Sequence, residues 1–173
     1  MRKNIPQDLK FRYKAHIWKK IDKFIKMETH NKVLLLALMG YKENKRYSLN
    51  TPDPSPEGIQ DKVQYGDSTE VSVRTMYNRN GLAYDAVFGL MGLLTSKVKD
   101  PKERLDEVFL VTSETKLSFL ELPSVKATFE YMLGGLEVME TVLFDSGNSY
   151  SNVCDSIQFY LEESIDDLDV LIG

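Results

Sequence analysis

The stretch that decides the fold is PQDLKFRYKAHIWKKIDKFIKM, residues 6–27. A helical wheel, turned by about 100° per residue, gathers its apolar side chains into one broad arc. The arc holds Leu9, Phe11, Tyr13, Ile17, Trp18, Ile21, Phe24 and Ile25. The opposite side holds Arg12, Lys19, Lys23 and Lys26, with His16 beside them. The pattern therefore predicts an amphipathic helix over residues 6–27 with a cationic polar face.

The cationic face is typical either of a solvated surface or of a site that binds an anion. Spacings of three, four and seven residues bring its like charges next to one another, where they repel and weaken the helix. A basic stripe under that constraint more often has an anionic partner. We therefore favour binding over simple solvation as the interpretation of this face.

Charge differs strongly between the two ends of the chain. Residues 1–47 carry 13 Lys and Arg against 4 Asp and Glu, whereas residues 48–173 carry 9 against 22. No Lys or Arg follows Lys126, but ten acids do. Two hypotheses fit this asymmetry: the basic end binds nucleic acid, or the two ends meet each other, within one chain or between subunits.

Length and composition indicate one hydrophobic core. With 173 residues, 42% of them hydrophobic, we expect a basic, helical, DNA-binding-like domain over residues 1–98. We expect residues 99–173 to form an acidic helical extension packed with it as one unit. A single cysteine, Cys154, fits a reducing compartment, and the longest apolar run, Val33–Met39, is too short to span a membrane. These features predict a cytoplasmic protein without membrane contact.

The hydrophobic pattern predicts a mainly α fold, with about six helices and a small β element at about residues 63–77. After the first helix, helices are expected at 31–43 (capped by Thr29), 83–97, 101–111, 124–144 and 151–171. Prolines at every second position make residues 48–58 an extended loop. Residues 116–122 are expected to be extended and to end at Pro123.

Residues 63–79, which follow the loop at 48–58, allow two interpretations. Apolar or β-branched side chains alternate with others at Val71, Val73, Thr75 and Tyr77, which predicts a strand. Gly66-Asp67 would join it in a hairpin to Val63 and Tyr65. In the alternative, residues 68–79 form the recognition helix of a winged helix-turn-helix regulator, which would read bases with Ser72, Arg74 and Asn78. The alternation favours the strand.

The sequence contains no motif that marks an enzyme. It has neither a glycine-rich phosphate loop followed by Lys-Ser/Thr nor the Gly-x-Gly-x-x-Gly dinucleotide motif. His16 and His30 do not pair with each other or with cysteine at metal-ligand spacing. No nucleophile-base set and no pair of acids is distinguished by spacing. We therefore predict a binding protein that is not an enzyme and needs no cofactor or metal.

Short motifs between residues 17 and 94 resemble the DndE family of DNA sulfur-modification (phosphorothioation) proteins. The matching residues are Thr29, Asn31, the run Leu34–Leu38, Arg46-Tyr47-Ser48, Glu70-Val71, Thr75-Met76-Tyr77, Tyr84, Phe88, Leu93 and Leu94. The resemblance implies a self-associating protein that touches the DNA backbone and prefers nicked duplex. It also implies a role in a DNA-modification or phage-defence system, with protein partners of a modification complex.

The charge pattern and the resemblance together predict a protein that contacts DNA phosphates. Such contacts come from Lys and Arg and do not depend on base sequence. The first predicted patch is Arg12, Lys19, Lys23 and Lys26, and the second is Lys32, Lys42, Lys45 and Arg46, with Arg74 and Arg79 as weaker candidates. The runner-up is a protein-interaction module that uses the basic N-terminal helix and the acidic C-terminal helix as docking surfaces.

Overall fold

The computed structural model describes residues 7–53, 68–74, 76, 81–109, 117–145, 151–160 and 162, with the backbone alone at 81–85 and 145. Its elements, in chain order, are β1 (Leu9–Phe11), α1 (Ala15–Phe24), α2 (Thr29–Lys42), β2 (Thr69–Val71), α3 (Gly81–Thr95), α4 (Pro101–Phe109), a 3-10 turn (Phe119–Glu121) and α5 (Pro123–Asp145). Residues 151–160 are also helical. The predicted class, mainly α with a small β element, is confirmed.

The predicted first helix is wrong over its N-terminal half. Leu9–Phe11 form a strand that pairs antiparallel with β2, with Leu9 opposite Val71 and Phe11 opposite Thr69. Leu9 and Phe11 are buried while Lys10 between them is exposed, which is the two-residue period of a strand. Pairing with a distant strand therefore overrides the local helical pattern.

The helix that follows is shorter than predicted but keeps the expected amphipathic character. Lys14 precedes it in the left-handed region, with φ 51°, and Ile25 ends it with an extended backbone. The buried face of α1 consists of Ala15, His16, Ile17, Trp18 and Ile21. Because Arg12 lies before this helix and Lys26 after it, the continuous cationic stripe of the sequence prediction is broken.

The β element is also smaller than the sequence predicts. β2 covers only Thr69–Val71, and residues 73, 74 and 76 are helical, so the alternation after Val71 does not mark a strand. The Asp8 carboxylate accepts a 2.9 Å hydrogen bond from the Val73 backbone N–H, where it satisfies an N-terminal donor of this turn. The predicted hairpin partner at residues 63–65 lies outside the described residues.

The core centres on α2 and α5, whose backbones lie in direct contact. A Cβ atom added to Gly135 would overlap the Leu36 carbonyl oxygen, and one added to Gly40 would overlap the Tyr131 carbonyl oxygen. α2 is apolar nearly all round, as predicted, and α5 also packs on α3. The predicted C-terminal extension thus supplies the central helix of the core.

Other predicted boundaries hold in part. α3, α4 and α5 are confirmed close to their expected bounds. Thr29 is the first helical residue of α2 and not its cap; Glu28 takes the cap position without a side-chain hydrogen bond. Pro123 begins α5 and follows a 3-10 turn. Proline is suited to the first position of a helix, because the N–H that it lacks would have no partner there.

Among the described helices, none combines the length and the apolar character needed to cross a membrane.

Candidate nucleic-acid interface

The outer face of α1 carries the first predicted cationic patch. Lys19 and Lys23 are exposed on successive turns of the helix, and Lys26 is exposed just beyond its end. Arg12 is exposed in the turn between β1 and α1. The burial of Ile17 and Ile21 on the inner face holds this helix against the core and turns the lysines outward.

Three of these cations form no ion pair with any residue that the structure describes. Arg12, Lys23 and Lys26 take part in none of the ion pairs within the described ranges. The Lys23 Nζ lies 5.8 Å from the ring centroid of Phe24, which leaves the ammonium group near solvent. Within the described ranges, no ion pair therefore compensates their charges.

Lys32, the first member of the second patch, is not a surface residue. Its exposed fraction is 3%, and its Nζ forms an ion pair with Asp22 and lies 3.8 Å from the ring centroid of Trp18. A phosphate cannot reach this ammonium group without displacing Asp22 and opening the core. The burial of Lys32 and its ion pair therefore disfavour it as a DNA contact, because its side of the helix faces the core.

Lys45 belongs to a polar cluster on α5. Its Nζ donates to Glu137 Oε1 at 2.7 Å, while the Tyr13 and Tyr47 hydroxyls both donate to Glu137 Oε2 at 2.6 Å. The two tyrosine rings lie together, with centroids 4.6 Å apart. Both oxygens of the Glu137 carboxylate are therefore engaged by donors of the same chain.

This cluster changes the protonation chemistry of its members. Burial disfavours the charged form of Glu137, but hydrogen bonds from Lys45, Tyr13 and Tyr47 outweigh it and lower the pKa to about 2. Burial and the hydrogen bond to Glu137 raise the pKa of Tyr13. The hydrogen bond to Glu137 also raises the pKa of Lys45. At neutral pH Glu137 and Lys45 therefore form an ion pair.

A second cluster joins the start of α1 to α5. Lys14 forms an ion pair with Glu140 Oε2, and the buried His16 Nε2 lies 3.3 Å from Glu140 Oε1. Burial disfavours ionised Glu140, but hydrogen bonds from His16 and Lys14 lower its pKa. Burial raises the pKa of the nearby Asp53, whose Oδ1 accepts the Lys14 backbone N–H at 3.4 Å. His16 therefore faces the core and not the cationic surface on which the sequence placed it.

Arg46 completes the contact between the two ends of the chain. Its guanidinium lies 2.7 Å from Glu130 Oε2, and the Tyr47 backbone N–H donates to the Glu130 carbonyl at 3.1 Å. Basic residues 14, 45 and 46 thus each bind an acid of α5. Of the two hypotheses for the charge asymmetry, these residues follow the second, and the contact is made within one chain.

The remaining predicted residues are dispersed. Lys42 is exposed, with its Nζ 4.5 Å from the ring centroid of Tyr160. Arg74 is exposed in the helical turn after β2. Arg79 and Asn78 lie outside the described residues, so only Ser72 and Arg74 of the base-reading set in the winged-helix interpretation are described.

Sequence reasoning missed the three acids that organise the polar clusters. Glu130, Glu137 and Glu140 are the acids of the mainly apolar stretch 123–144, and spacings of seven and three place them on one side of α5. That pattern was available in the sequence. Their partners Arg46, Lys45 and Lys14, which lie 84, 92 and 126 residues away along the chain, could not be predicted from it.

Neither a metal site nor a known relative helps to identify the site. Among the described side chains, no group of three His, Cys, Asp or Glu residues could hold a metal ion. No family model, curated protein or solved structure matches the chain. The resemblance to the DndE family therefore stays a prediction.

Proposed function

We propose that the protein is a non-enzymatic DNA-binding protein that contacts the phosphate backbone through the outer side of its N-terminal segment. The proposed contacts are Arg12, Lys19, Lys23 and Lys26. Arg74, in the helical turn after β2, is a weaker candidate for a phosphate contact. Phosphate contacts of this kind are electrostatic and independent of sequence. Cytoplasmic location and service in a DNA-modification or defence system form part of the same proposal, on the strength of the sequence and the family resemblance.

The observation that carries the proposal is the contrast in charge compensation. Lys14, Lys45 and Arg46 each have an acid of α5 as partner. Arg12 and Lys23 are exposed without such a partner in the described part of the chain. A chain with a net charge of −4 that leaves cations uncompensated on one side has a local field suited to a polyanion.

The test is a titration of duplex DNA at several salt concentrations. The variant Arg12→Gln/Lys23→Gln/Lys26→Gln removes three exposed charges and should leave the fold intact, because surface changes of this kind move stability little. We expect weaker DNA binding and a salt dependence reduced by about 0.9 in log–log slope for each lost phosphate contact.

A matched control keeps the change in net charge the same. Lys97→Gln/Lys99→Gln/Lys102→Gln also removes three exposed lysines, but around the start of α4. We expect this variant to bind DNA with a nearly unchanged salt slope. Equal losses in both variants would mean that net charge alone governs binding, and unchanged binding by the first variant would end the proposal.

The preference for nicked over intact duplex DNA follows from the family resemblance and has its own test. Random-sequence duplexes with a single nick should compete better than the same duplexes sealed, because a nick bends easily against a basic surface. No short motif should be enriched from a random pool. Strong enrichment, relaxed at a single base by Arg74→Ala, would instead favour the winged-helix interpretation.

Self-association is the last part of the proposal. Light scattering at tens of micromolar protein should detect a dimer or a larger species, at low and at high salt. A monomer under both conditions would remove this part, and the backbone-binding proposal would then rest on a single chain.

A further inference from the structure

A groove on the far side of α5 has features that the DNA-binding proposal does not use. It lies between the end of α2, the second half of α5 and the helical residues 151–160, and its volume is about 650 Å³. Val138 and Val142 of α5 form its apolar floor. The groove is therefore large enough for one or two side chains of a bound peptide.

Neither acid that lines the groove forms an ion pair with another residue that the structure describes, although Lys45 attracts Glu43 at longer range. Glu43 Oε1 accepts a hydrogen bond from the Tyr160 hydroxyl at 3.1 Å, and Asp155 is exposed with only a 3.5 Å contact from Ser151 Oγ. Lys45 also lines the groove, but its Nζ is bound to Glu137. Over its described lining, the groove therefore carries two acids besides the ion-paired Lys45, and its charge is negative.

Aromatic rings complete the lining. Phe159 has an exposed fraction of 63%, the highest among the exposed large hydrophobic residues of the described chain. Beside it, Tyr160 already receives a cation, since the Lys42 Nζ lies 4.5 Å from its ring centroid. An exposed ring next to a carboxylate is the combination that binds an ammonium or guanidinium group by cation–π and charge attraction.

We propose that this groove binds a basic segment of a partner protein, with a Lys or Arg side chain between Phe159 and Asp155 and an adjacent apolar side chain on Val138 and Val142. Charge complementarity selects the partner, because Glu43 and Asp155 line the groove while the charge of Lys45 is already bound to Glu137. The apolar floor favours a peptide over a free polyamine, which has no apolar side chain to bury there. This site is independent of the outer face of α1.

The probe is a fluorescein-labelled synthetic peptide of alternating Lys-Leu-Gly units, followed by fluorescence anisotropy with the full chain. Two companion peptides separate the contributions: one has every lysine acetylated, and one has every leucine replaced by serine. We expect the acetylated peptide to lose binding and the serine peptide to bind several-fold more weakly. Retained binding by the acetylated peptide would contradict recognition of a cation.

Matched variants locate the site. Phe159→Ala and Asp155→Asn should each weaken peptide binding by about threefold or more, the scale of an exposed cation–π contact or ion pair. The controls are Phe144→Ala, an exposed ring with 52% exposure, and Asp106→Asn, an exposed acid on α4. Both lie outside the groove lining and should leave binding unchanged.

Two outcomes would overturn the proposal. Equal weakening by the groove variants and by their controls would mean that the peptide binds a diffuse negative surface. Competition by spermidine at the same concentration as the peptide would mean that the groove recognises any polycation. The DNA titration with the Phe159→Ala variant should be unchanged, so a failure of either proposal is distinguishable from a failure of the other.

Discussion

The basic residues of the first 46 positions fall into two groups, which carry the same charge but lie in different environments. Lys23 and Lys26 are exposed and form no ion pair in the described part of the chain. Lys14 and Lys45 each bind a carboxylate of α5. The first group can act on a partner, whereas the second holds the N-terminal segment to the core.

The position of α5 explains why some of these cations are ion-paired and others are not. Its contact with α2 brings Glu130 and Glu137 beneath the segment that follows α2, so Lys45 and Arg46 meet acids as soon as the helix ends. No acid of α5 is paired with the outer face of α1 in the described residues. The position of one helix thus decides which basic residues are structural and which are available.

The largest effect should come from separating α2 and α5. Gly135→Ala places a methyl group where the Leu36 carbonyl oxygen lies, and neither backbone can move without opening the core. We expect a loss of about 3 kcal/mol in the free energy of unfolding, measured with urea. The control Gly89→Ala meets only the ring of the exposed Phe109, which can rotate away, so it should be nearly neutral. Similar losses in both would refute the close-contact argument.

The next largest effect should come from the acid that binds three donors. Glu137→Gln keeps the shape but removes the charge, and an amide cannot accept from Lys45 and both tyrosines. We expect a loss of about 2 kcal/mol in the free energy of unfolding. Asp106→Asn makes the same carboxylate-to-amide change on the exposed surface of α4 and should have little effect. A neutral Glu137→Gln would mean that the cluster contributes nothing to stability.

A smaller effect should distinguish the buried lysine from its exposed counterpart. Lys32→Ala removes the contact with Trp18 and the packing of the aliphatic stem. Because Asp22 is 55% exposed, water can replace its lost partner. We expect a loss of about 2 kcal/mol or less for Lys32→Ala and under about 0.5 kcal/mol for Lys23→Ala in denaturant unfolding. Equal values would show that burial of Lys32 is energetically irrelevant.

The difference in stability between the wild type and Glu137→Gln is expected to be smallest at acid pH. The pKa of Glu137 is lowered from 4.5 in the unfolded chain to about 2 in the folded one. The stability from its ionised form is therefore complete above about pH 4.5 and is lost as the pH falls toward 2. Unfolding curves of the wild type and Glu137→Gln should converge over that interval. A constant difference between pH 5 and pH 2 would contradict the assigned pKa.

Much of the fold could be predicted from local pattern. The helical bounds of α2, α4 and α5 follow from apolar periodicity and from the Asp100-Pro101 start of α4, where the Asp100 side chain accepts the Glu103 backbone N–H at 2.9 Å. The candidate interface could be predicted in part, because α1 turns Lys19 and Lys23 outward. Local pattern has this power because a helix must bury one face whatever it packs against.

The sequence by itself determined the amphipathic character of α1, the buried nature of α2 and the separation of basic and acidic ends. Only the tertiary structure decided that Leu9–Phe11 form a strand, because its partner lies about 60 residues away. It also decided that Lys32, Lys45 and Arg46 are bound to acids. A side chain's charge is fixed by its chemistry, but whether that charge is compensated depends on distances that only the packed chain defines.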